Sequence, residues 1–109
     1  MGLFGKRKES GKRKDPTDEQ ILAHFSEVAL DLCENILANV DGSNAGERRL
    51  KDQAHDLHKL AEKAVMWQPV AAIMLGVAQD AVECVDRSNP DEILVLIQAH
   101  QIVDSFGLN

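Results

Sequence analysis

The sequence predicts an all-α protein, an antiparallel four-helix bundle with a disordered basic N-terminal tail, and three observations predict it. Apolar residues recur at helical spacing in successive stretches separated by short polar turns. Helix-start signals precede these stretches, among them Thr17 with Gln20, Asn44 with Glu47, and Asn89 followed by Pro90. Aromatic residues are restricted to Phe4, Phe25, Trp67 and Phe106, with no tyrosine. Such a core is built from Leu, Ile, Val, Ala and Met, which suits helices packing on helices.

The chain divides by charge. Residues 1–14 carry Lys6, Arg7, Lys8, Lys12, Arg13 and Lys14 against Glu9 alone, giving +5, whereas residues 15–109 stand at −11. Self-repulsion and the lack of an apolar period make the first segment a disordered arm, and Asp15-Pro16 punctuates its end. The predicted organisation is therefore a tail over residues 1–16 and one bundle domain over 17–109. The six basic tail residues are the candidate polyanion-binding group, for weak contact with nucleic acid or anionic lipid.

Thr17 and Gln20 form a capping box that opens the first helix. Its apolar stripe runs from Ile21 through Phe25, Leu32 and Ile36 to Val40, with Glu27, Asp31 and Glu34 opposite, and Gly42 is expected to stop it at C′. The second helix starts near Asn44, carries Leu50, Ala54, Leu57, Ala61, Ala64 and Val65, and is expected to reach Trp67-Gln68. Pro69 ends it and pre-sets the first turn of a third helix over residues 70–86. Asn89 caps the fourth helix, with Pro90 at N1 and Asp91 and Glu92 complementing its positive end.

Apolar residues exceed what one core stripe needs. Ile73, Leu75 and Val82 lie off the main face of the third helix, and Ile93 and Ile97 flank the fourth. These five are the candidate interface, either for a homodimer or for another protein. Acidic faces on the first and second helices are a further candidate surface, for a basic partner.

Several classes of function are not supported by motif. Cys33 and Cys84 make neither a disulfide framework nor a zinc spacing. No apolar run approaches the roughly 20 residues that span a bilayer, and the basic N-terminus lacks the apolar stretch of a secretory signal. Lys6 stands where a myristoylation sequence needs Ser or Thr. The expected location is the cytoplasm, with peripheral membrane contact through the tail. No P-loop, dinucleotide glycine signature or Ser-His-Asp arrangement is present, so neither cofactor nor small-molecule substrate is expected. His24, His55, His58 and His100 do not form a metal-ligand pattern.

The segment Gln53-Ala54-His55-Asp56-Leu57-His58-Lys59 resembles the second helix of histidine phosphotransfer domains, which are also four-helix bundles, through Ala54, His55 and Leu57. The resemblance implies His55 as phosphoacceptor, with Lys51 and Lys59 supplying positive charge. His58 stands where that family has lysine and Lys59 where it has glycine, so a long side chain obstructs the approach of a receiver domain. Arg49 and His55 also resemble the spacing of helical HEPN ribonucleases, without the polar residue that completes that pattern. The reading adopted from sequence is a cytosolic interaction or adaptor module without catalysis of its own, with phosphotransfer through His55 as the alternative.

Overall fold

The Thr17 hydroxyl accepts the Gln20 N–H at 3.2 Å while the Gln20 side chain accepts the Thr17 N–H at 2.9 Å, so the first helix begins where the capping box directs. The structure, a computed structural model, describes residues 15–107, and the tail assigned to residues 1–14 lies outside the described residues. Four helices account for its regular structure: α1 (Asp18–Asn39), α2 (Ala45–Lys63), α3 (Trp67–Cys84) and α4 (Pro90–Ser105). No strand occurs among the described residues, and none of these helices is long and apolar enough to cross a membrane.

Three helix ends differ from expectation, the simplest being α3, which stops at Cys84 with Val85 as an extended C-cap rather than at residue 86. α1 ends at Asn39 with Val40 as an extended C-cap, its N–H bonded to the Ile36 carbonyl. Gly42 takes its positive φ of 70° two residues further on, inside the turn rather than at C′. Burial explains the early stop, because Val40 is only 2% exposed and anchors the chain as it leaves the helix. α2 ends at Lys63, so Trp67 and Gln68 open α3 instead of closing α2. Pro69 is then the third residue of α3, where its missing N–H would have no helical partner anyway. Trp67 stacks on Phe25 of α1, ring centroids 5.6 Å apart, and Phe25 also meets Phe106 of α4 at 5.9 Å. The early corner consequently leaves Val65 and Met66 exposed, although Val65 had been expected on the α2 stripe.

α1 and α3 each contact the other three helices, whereas α2 and α4 do not meet. This arrangement has a counterpart in the sequence. Val40-Asp41-Gly42-Ser43-Asn44-Ala45-Gly46-Glu47 recurs as Val85-Asp86-Arg87-Ser88-Asn89-Pro90-Asp91-Glu92, and Gln53-Ala54-His55 recurs as Gln98-Ala99-His100, each 45 residues on. Burial repeats at the same interval: Ala29, Leu32, Cys33, Ile36 and Val40 correspond to Met74, Val77, Ala78, Ala81 and Val85. Leu50, Ala54 and Leu57 likewise correspond to Val95, Ala99 and Ile102. So do polar contacts between helices. Asn35 of α1 donates to Gln98 of α4 at 2.9 Å, and Gln53 of α2 donates to the equivalent Asp80 of α3 at 2.8 Å. The protein is thus two helix pairs, α1–α2 and α3–α4, related by recurring sequence, burial and cross-contacts.

Both cysteines are free. Burial, followed by the nearby Glu34 charge, pushes the Cys33 thiol up to about 12, so it sits in the core as an apolar group.

Candidate functional site

The two connecting loops are tied together by glutamates. Asn44 and Asn89 cap α2 and α4, accepting the N–H groups of Glu47 and Asp91 respectively. Glu47 and Glu92 occupy the third helical positions and are fully buried. Glu92 accepts Asp86 N–H at 2.8 Å from its own loop and Asp41 N–H at 3.3 Å from the other. Its second oxygen also takes the Asn89 side-chain amide at 3.3 Å. Glu47 accepts Ser43 N–H at 3.2 Å and the Asn44 side-chain amide at 3.1 Å. At the sequence level Glu92 reads as a helix-start acid; what that reading missed is its burial and its reach across to a second loop. The signal was available in the repeated Val-Asp-x-Ser-Asn-x-x-Glu.

Carboxylate oxygens of Asp41, Glu47 and Glu92 lie within 4.8 Å of one another. By donor type the trio suits a hard divalent cation, but the N–H groups aimed at Glu47 and Glu92 present the same positive end that a cation would. Burial, then the hydrogen bond to Asp41, raises the Glu47 carboxyl above its ordinary value, while the same bond and the Ser43 N–H hold Asp41 below its own. The cluster is a structural tie built from the repeat.

His55 is exposed on α2, with exposed Lys59 four residues beyond it and half-buried Lys51 four before. His58 is half-buried and turned to Glu62, Nδ1 to Oε1 3.5 Å. The repeat places His100, also exposed, at the position equivalent to His55, beside Gln79, Asp80 and Glu83 of α3 rather than near lysines.

The five candidate interface residues do not form one face. Leu75, Val82 and Ile93 are partly buried and pack against the core, whereas Ile73 is 47% and Ile97 51% exposed. Leu94, absent from that set, is 54% exposed and stands one turn before Ile97 on α4. The equivalent positions on α2 are Arg49 and Asp52, so the two helix pairs differ here: one presents charge to solvent and the other apolar side chains.

α1 borders this apolar pair. The Asn35 side chain donates to the Leu94 carbonyl at 3.3 Å, and Asp31 shares with Gln98 and Gln101 a shallow groove of about 330 Å³ floored by Phe25, Val28 and Ile102. Glu27, Asp31 and Glu34 are exposed along α1. Neither α1, α3 nor α4 contains a lysine or arginine; Arg48, Arg49, Lys51, Lys59 and Lys63 all lie on α2. The second of the two helices expected to be acidic is mixed in charge, with exposed Asp52, Asp56 and Glu62 of α2 standing among Arg48, Arg49, Lys59 and Lys63. Comparison with family models, with curated proteins and with solved structures finds no match for this chain.

Proposed function

We propose that this protein is a cytosolic interaction module, an antiparallel four-helix bundle whose working surface is the outward face of α4 together with the adjoining edge of α1, and that it has no catalytic centre of its own. The short connections, residues 40–44, 64–66 and 85–89, support the antiparallel arrangement. One observation carries the functional reading: the repeat departs from itself where Leu94 and Ile97 replace Arg49 and Asp52. Most core positions are matched between the two helix pairs, Leu96 and Val103 against Lys51 and His58 being among the exceptions, and neither Leu94 nor Ile97 belongs to the core, so folding alone does not require apolar residues at these two solvent-facing sites. Exposed leucine and isoleucine one turn apart provide a non-directional anchor, and the polar border around them provides register.

The test is a capture experiment with full-length protein immobilised in its source lysate. Proteins retained by the wild type are expected to be lost in Leu94→Lys/Ile97→Lys and kept in Arg49→Ala/Asp52→Ala, with both variants' circular dichroism and thermal midpoints unchanged from wild type. Retention of the same proteins by the α4 variant would contradict the assignment.

A further inference from the structure

The charge distribution around Leu94 and Ile97 specifies the chemistry of what binds there. We infer that the α1/α4 face docks a lysine- or arginine-rich amphipathic helix of a partner protein, an inference that rests on the interaction-module reading above. The apolar pair takes one face of such a helix, in the manner of helix-in-groove recognition. Asp31 of α1, exposed and lining the groove with Gln98 and Gln101 of α4, meets basic residues flanking that apolar face. Asp91 and Asp104, exposed near the two ends of α4, extend the negative border.

Two features favour this occupant over others. With no cation on α1 or α4, an acidic or phosphate-bearing partner finds no counter-charge, and nucleic acid and anionic membrane are repelled. A second copy brings the same acids to the same face, so symmetric pairing through it sets like charges together. A basic amphipathic helix satisfies both the apolar anchor and the acids. The groove along Asp31, Gln98 and Gln101 also offers hydrogen-bonding side chains that can follow a helix laid between α1 and α4.

The probe is a synthetic fourteen-residue leucine–lysine amphipathic peptide, titrated against the full chain by fluorescence anisotropy alongside its leucine–glutamate counterpart. The lysine peptide is expected to bind at least about tenfold more tightly than the glutamate peptide, a difference of one decade in Kd. Leu94→Lys/Ile97→Lys and Asp31→Lys/Asp104→Lys should each weaken it by about tenfold or more, and Arg49→Ala/Asp52→Ala should leave it within about twofold. Raising salt should weaken the wild-type complex and reduce the effect of the charge variant. Equal binding of the two peptides, or insensitivity to the α4 substitutions, would overturn the inference. So would a gain of about tenfold on deleting residues 1–14, because the chain's own basic tail would then be the occupant. The reading of the face as an interaction surface fails separately, by the capture experiment, which makes no assumption about the partner's charge.

Discussion

Replacing Glu92 by alanine is expected to lower the thermal midpoint by roughly 15–30 °C, one of the largest effects available to a single substitution in this chain. Its carboxylate is fully buried and accepts N–H groups from Asp86 and Asp41, one from each connecting loop. Alanine removes the acceptor of two part-buried bonds to a charged group, each worth about 1.5–3 kcal/mol, and leaves a void at a fully buried position. A loss of several kcal/mol is a large fraction of the ~5–15 kcal/mol that holds a domain of this size together. Calorimetry or thermal circular dichroism measures it directly. A shift of only a few degrees would show that the loops hold together without the glutamate.

Glu47 is expected to give the opposite sign at neutral pH. Its carboxyl is raised above an ordinary value of 4.5, foremost by burial, so the folded state favours the protonated form. The stabilisation this provides is fully present below about pH 4.5 and is lost as pH rises through the higher folded-state value. Asp41 acts in reverse: its lowered carboxyl stabilises the fold above its ordinary 3.8, and that contribution disappears as pH falls through the folded-state value. Glu47→Gln supplies a neutral side chain of the same shape, still able to accept the Ser43 N–H through its carbonyl oxygen. The variant should match or exceed wild-type stability at pH 7 and lose the decline that wild type shows on the alkaline side of about 4.5. Denaturant unfolding across that range checks it. A variant less stable than wild type at neutral pH, with the decline intact, would contradict a raised Glu47 carboxyl.

Much of the fold was legible because its helix starts are local. Thr17 with Gln20, Asn44 with Glu47, and Asn89 with Pro90 each satisfy backbone donors within a few residues, so sequence alone located three of the four beginnings. The α2–α3 corner was not legible in the same way. Pro69 is compatible with ending one helix or with standing in the first turn of the next, and the stacking of Trp67 on Phe25, a contact between distant segments, accompanies the second choice. Glu92 illustrates the same limit. An acid at the third helical position looks like a surface cap until the partner loop, some fifty residues away, closes over it.

The candidate surface was only half visible. Apolar surplus on the fourth helix was evident, but which residues face solvent depends on how each helix is rotated against its neighbours. That rotation buries much of Ile93 and leaves Leu94 and Ile97 outside. The acidic border required knowing that α1 and not α2 lies beside α4. A comparison of the chain with itself at an offset of 45 residues would have exposed the substitution of Arg49 and Asp52 by Leu94 and Ile97.

The central claim, that the outward face of α4 is the working surface, is tested most directly by site-specific photo-crosslinking in source cells. A benzophenone side chain at position 97 is compared with one at position 52, its equivalent on α2. The account predicts a discrete heteromeric adduct from position 97 that is absent from position 52 and abolished by Leu94→Lys. Adducts of equal yield from both positions, or none from position 97, would contradict it.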